Sequence, residues 1–245
     1  MPLRIVIEAT LPSSPRGHVP YRDLHRLACF LMEDPGSEAH QNQEKTFSIQ
    51  PPVFMDQGRT VELHLNSLID DLNIVHRLQE RLLGIKGQTA NLGQAYPLQD
   101  SRIYRTDESW DDLAELAPSR NVTIETLSPI SFSRNGDSFN LPDAKIVHSQ
   151  LIRKWKAVAP ERSASIDQEA EDDLMQNVVL DSFDINSRHI DETWKRRCFE
   201  GTFSYNVRSS SLATQSLFTQ LWAFATYSGV GAMTTQGLGA IEIKF

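Results

Sequence analysis

A chain of 245 residues, 40% apolar and 23% charged, has room for two compact units and sits near soluble globular averages, which excludes a disordered tail and a fibrous protein. No apolar run approaches the ~18 residues that span a bilayer, Met1-Pro2-Leu3-Arg4 runs into a strand-like stretch instead of a signal peptide, and Cys29 and Cys198 lack the CxxC spacing of a zinc site, so a cytoplasmic protein is expected. The net charge of −8 argues against nucleic acid only until it is located, because Glu161 to Asp173 and Asp107 to Glu115 each carry −5 and leave +2 for everything else.

In chain order, Leu3 to Ala9 alternates as a strand, and from Tyr21 the set Leu24, Leu27, Ala28 and Leu31 marks an amphipathic helix stopped at Asp34-Pro35-Gly36. Lys45 to Val53 and Arg59 to Leu65 read as strands joined at Asp56-Gln57-Gly58. Leu68 to Leu83 reads as a helix ended by Gly84, and Ser101 to Tyr104 as a fourth strand. This order, βαββαβ, is the ferredoxin-like arrangement. Asp107 to Glu115, ending at Ala117-Pro118-Ser119, reads as a linker, which places a first domain at 1–118 and a second at 119–245.

The order then repeats. Asn121 to Phe132 is strand-like, Ala144 to Val158 helical, Val178 to Ile185 and Phe199 to Val207 paired strands, Leu212 to Tyr227 an apolar helix and Ala240 to Phe245 a closing strand, with Glu161 to Asp173 as a loop. The expected fold class is α+β, two tandem ferredoxin-like (RRM-like) units.

Between the last helix and the last strand lies Ser228-Gly229-Val230-Gly231-Ala232-Met233-Thr234-Thr235-Gln236-Gly237-Leu238-Gly239-Ala240, with four glycines in two GxG pairs. Thr234 stands where a dinucleotide fingerprint needs its third glycine, and no Gly-Lys-Ser/Thr follows, so neither a Rossmann turn nor a P-loop is present. Glycines allow positive φ and close backbone approach, so amides of such a loop can face phosphate oxygens. This loop resembles the C-terminal signature of the CRISPR repeat-processing endoribonucleases, the Cas-six family. Val19-Pro20-Tyr21, Lys45-Thr46-Phe47-Ser48 and Thr126-Leu127-Ser128-Pro129-Ile130 resemble further landmarks of that family. The resemblance implies recognition of CRISPR repeat RNA, possible association with other CRISPR effector subunits, and cleavage without a metal ion, by attack of a ribose 2′-hydroxyl that leaves a 2′,3′-cyclic phosphate.

Seven histidines compete for a proton-transfer role. His40, five residues before Lys45, matches the family's general base in placement; imidazole titrates near neutrality, and the Lys45 ammonium can stabilise a phosphorane's extra charge. His25, on the first helix, is the candidate second proton-transfer group. The expected RNA contacts are Gly229, Gly231, Thr234, Thr235, Gln236, Gly237 and Gly239 of the loop, with the basic clusters Arg153, Lys154, Lys156 and Lys195, Arg196, Arg197. His64, His76 and His148 read as structural or solvated, His18 and His189 as loop residues, and no spacing predicts a metal site or another cofactor. A noncatalytic repeat-RNA-binding subunit of a CRISPR effector is the alternative reading, and a nucleotide-binding metabolic enzyme a third.

Overall fold

The computed structural model describes residues 2–11, 19–33, 45–69, 73–85, 89–91, 95–97, 99–107, 110–134, 137–160, 165–190 and 196–245. In the first unit β1 (Leu3–Thr10) lies between β4 (Thr60–Ser67) and β7 (Gln99–Asp107), with β2 (Phe47–Ile49) beyond β4, giving the order β2-β4-β1-β7. The second unit has β8 (Asn121–Thr126), β11 (Val178–Ile190), β12 (Arg196–Val207) and β13 (Ile241–Lys244) in the order β11-β12-β8-β13. Counted within its own unit, each sheet reads second, third, first, fourth strand with antiparallel neighbours. That is the ferredoxin-like order, twice.

Burial explains each unit. Alternate residues of β1 and β4, among them Ile5, Ile7, Leu63 and Leu65, are fully buried and meet the stripe Leu24, Ala28 and Leu31 of α1 (Tyr21–Met32) and Leu78 of α2 (Ile74–Ile85). The second core is larger and aromatic. Phe203 and Tyr205 of β12 pack with Trp155 of α4 (Ala144–Val158) and with Phe218, Trp222 and Phe224 of the long helix Leu212–Ser228.

Several expectations need correction. The stretch from Lys45 to Val53 is two short strands, β2 and β3 (Val53–Met55), both on β4 and separated by Gln50-Pro51-Pro52, where the prolines have no N–H for a ladder. The strand expected from Asn121 to Phe132 ends at Thr126, and Phe132 begins β9 (Phe132–Arg134), which pairs with β10 (Asp137–Phe139). The Asp107–Glu115 segment contains α3 (Trp110–Ala114), whose Trp110 and Leu113 are buried in the second core, so it is packed structure instead of a linker. The Glu161–Asp173 segment enters α5 (Gln168–Asn177), capped by the Asp167 carboxylate on the Glu169 amide and seated by Ala170 and Leu174. A further short hairpin, β5 (Thr89–Asn91) with β6 (Ala95–Pro97), precedes β7, and α2 continues past Gly84.

The two units join at the C-terminal end of Leu212–Ser228, the sixth helix, α6. The last carbonyls of a helix have no partner within it and carry its negative pole. Here Arg4 Nη2 donates to Thr226 O (3.2 Å), Asn66 Nδ2 (3.0 Å) and Ser48 Oγ donate to Tyr227 O, and Lys154 Nζ donates to Ser228 O and Gly229 O (3.1 Å each). The Arg4 guanidinium also lies 5.0 Å from the Tyr227 ring centroid. Cations at a helix C-terminus contribute about 0.3–1 kcal/mol each at the surface and up to ~2 when partly buried. The first sheet thus holds the helix end from which the glycine loop leaves.

Candidate active site

The loop is fastened to its own unit before it can touch anything else. Val230 N donates to Gly239 O (2.8 Å), Gly239 N to Pro129 O (3.0 Å) and Ala232 N to Ser131 O (2.7 Å). A Cβ on Gly239 would stand 2.0 Å from Val230 O, and one on Gly231 2.5 Å from Ser131 O, both at positive φ, so these two glycines answer the closure of the loop on the chain itself. Amides 230, 232 and 239 are therefore engaged within the protein. The tip, a single 3₁₀ turn at Thr234–Gln236, packs against α1 and β2 of the first unit. Thr234 and Thr235 are buried there, and Gln236 Oε1 is buried with no hydrogen-bond partner among the described residues.

Facing the tip is one stripe of α1 and its cap: His25, Cys29 and Glu33, at i, i+4 and i+8. His25 Nδ1 is 3.0 Å from Thr235 O, a contact between residues 210 apart in sequence. Cys29 Sγ lies 3.6 Å from both ring nitrogens. Burial pushes the Cys29 thiol up to about 12, helped by the Glu33 carboxylate and opposed by Lys45, so it stays protonated. Lys45 Nζ donates to Glu33 Oε1 at 2.9 Å, with both side chains largely buried. An imidazole, a thiol, a carboxylate and an ammonium thus stand in sequence along one seam. Such a set can accept or donate a proton at one end and offer positive charge to an oxyanion at the other.

The remaining expected residues are scattered. His40 and Lys195 lie outside the described residues, as does His18. Lys154 holds the α6 carbonyls and reaches Thr234 Oγ1 at 3.5 Å, which makes it a clamp on the loop. Lys156 points away to Glu171 of α5 at 2.6 Å, and Arg153 is exposed on the same helix. Arg196 and Arg197 open β12 beside Ile190 and His189 of β11, Arg197 exposed. The adjoining ends of β11 and β12 reach the first unit, with Ile190 and Cys198 in the first core. His64 pairs with Glu62 (3.1 Å) and His76 with Glu80 (3.4 Å). His148 is fully buried: its Nδ1 donates to Ala144 O (2.7 Å), its Nε2 accepts from Trp222 Nε1 (3.1 Å), and burial pulls it down to about 4.

Sequence reasoning missed Glu33, Cys29 and Arg4. The i+4 spacing of His25, Cys29 and Glu33 was a visible signal for the first two; nothing local marks Arg4, whose partners are 62 and 222 residues away.

The family model for CRISPR-associated endoribonuclease Cas6 matches residues 124–241, from β8 to the start of β13, with the glycine loop inside. A CRISPR-associated endoribonuclease Cas6 of Mycobacterium tuberculosis is 27% identical over 127 residues, 51% of this chain and 40% of that protein, so the chain matches less than half of that relative's length. Among solved structures, a Cas6 product complex superposes with a TM-score of 0.82 at 20% identity, covering 100% of both chains. Thermus thermophilus Cas6 does so with a TM-score of 0.73 at 23% identity, covering 100% of this chain and 98% of that one.

Proposed function

We propose that this chain is a Cas6-family endoribonuclease, a reading supported by the family model over residues 124–241 and by the shared fold, and that it cleaves CRISPR precursor RNA within the repeats, without a metal ion. The 2′-hydroxyl oxygen attacks the adjacent phosphorus and the bond to the 5′ oxygen breaks, leaving a 2′,3′-cyclic phosphate and a 5′-hydroxyl. His40 takes the proton of the 2′-hydroxyl, His25 as imidazolium gives one to the departing 5′ oxygen, and the Lys45 ammonium stabilises the phosphorane. Residues 1–118 supply these groups; residues 119–245 supply the loop.

The observation that carries this reading is the seam: α1 of the first unit brings His25 to 3.0 Å from the loop of the second, and Lys45 joins the same stripe through Glu33. RNA is held by Arg153, Arg196 and Arg197, with Gln236 at the edge of the tip and the buried Thr234 and Thr235 shaping it, and with single-stranded flanks and any short repeat hairpin as the readable features. Gly229, Gly231, Gly237 and Gly239 contribute by shaping the loop. Incubation with a synthetic repeat RNA in EDTA should give a product ending in a cyclic phosphate, and a 2′-deoxy sugar upstream of the scissile phosphate should stop the reaction. Metal-dependent cleavage, or cleavage of the deoxy substrate, would contradict the mechanism; tight binding with no product would favour the noncatalytic subunit.

A further inference from the structure

A neutral imidazole has one N–H and one lone pair, and a protein chooses between the two arrangements by what it places against each nitrogen. A backbone carbonyl can only accept. At 3.0 Å from Thr235 O, His25 Nδ1 therefore carries the hydrogen and donates it, which leaves the lone pair on Nε2. We infer that the glycine-rich loop is a positioning element for His25: the Thr235 carbonyl fixes the ring in the Nδ1–H form and makes Nε2 the nitrogen at which it exchanges protons.

Of the described contacts, the carbonyl is the one that distinguishes the two nitrogens. Cys29 Sγ is equidistant from both nitrogens and gives neither an advantage. The helix could have supplied an acceptor of its own, as α4 does for His148 by turning Nδ1 onto Ala144 O one turn back. At His25 the acceptor comes from the other unit instead. Its position depends on Gly237, which follows the tip at φ +90° and whose added Cβ would stand 3.1 Å from Leu24 Cδ1, on the turn of α1 that bears His25. Gly237 thus has a purpose beside loop closure: it lets a carbonyl of the second unit reach a side chain of the first.

The role in catalysis rests on the reading of His25 as a proton-transfer group; the ring form does not. Long-range ¹⁵N–¹H NMR of the intact protein, with the His25 signals assigned by their loss in His25→Asn, reads the form directly. The expected pattern for the neutral ring is a protonated Nδ1 and an unprotonated Nε2, the reverse of the preference of neutral imidazole in water. A protonated Nε2 would overturn the inference. Gly237→Ala, which presses the tip away from α1, should give a mixture of forms. It should also lower the single-turnover rate at saturating RNA on the order of tenfold, less than the ~10²–10⁴ that a positioned acid–base group contributes in full. A ring form unaltered in Gly237→Ala, with only RNA binding weakened, would leave the loop no part in orienting the ring. If the parent shows the Nδ1–H pattern yet His25→Ala cleaves at the parent rate, the proton-transfer reading fails while the orientation stands.

Discussion

Helix α1 follows the first strand of its unit, α4 follows the β9–β10 hairpin after the first strand of the second, and each carries a histidine at its fifth residue, His25 and His148. Both rings donate from Nδ1 to a backbone carbonyl, but the carbonyls differ. His148 bonds within its own helix, receives the Trp222 indole on its other nitrogen, and sits among Tyr205, Phe218 and Trp222 with no exposure. His25 is only partly buried and bonds across the seam. Equivalent positions in a repeated fold therefore yield a core residue in one unit and a candidate reactive group in the other, and the difference is made by what lies opposite the helix.

The comparison breaks most visibly at the buried ring. His148→Ala removes an aromatic-sized side chain and strands the Trp222 N–H, so unfolding in urea should show a loss of about 3–5 kcal/mol. The acid sensitivity of the fold sharpens the same point. His148 titrates near 6.5 when unfolded and at about 4 when folded. Its contribution is present in full above pH 6.5 and is lost as the pH falls towards 4, about 3 kcal/mol in all, because the unfolded chain binds the proton first. His148→Phe should remove that part of the pH dependence, seen as a shallower loss of stability than the parent between pH 6.5 and 4.

The periodic parts of the fold were legible because one face of each element is buried: β1, α1, α4 and α6 stand where alternation or helical spacing put them. Elements exposed on both faces were not. Most of β11 from Asp181 to His189 is exposed, so the strand has no alternation to read and extends beyond Ile185 to Ile190. α3 is five residues long, and α5 shows only Ala170 and Leu174 as a buried pair in an acidic stretch. Of the site, the residue types were visible and their company was not. The glycines read as a ligand cradle, yet amides beside them bond to Pro129, Ser131 and Gly239. Lys154 and Lys156, two residues apart, serve a helix end and an ion pair on different elements.

Smaller effects test the division between binding and structure. Replacing Arg196 and Arg197 by alanine should flatten the slope of log affinity against log salt by about 1–2, given roughly 0.7–0.9 per phosphate contact. An unchanged slope would put the RNA elsewhere. Lys156→Ala should cost less than ~1 kcal/mol of stability, as an exposed ion pair does, and should leave RNA affinity at the parent value; a marked loss of affinity would return Lys156 to the RNA surface.

If RNA is cut at the seam between α1 and the glycine loop, the His25 side chain is needed for the chemical step. Single-turnover cleavage of repeat RNA by His25→Ala, measured beside its RNA affinity, tests this directly. The expected rate is lower by ~10²–10⁴ with affinity within about twofold of the parent, since the side chain is assigned to proton transfer and not to binding. Cleavage at the parent rate, or a loss accounted for by weaker binding, would contradict it.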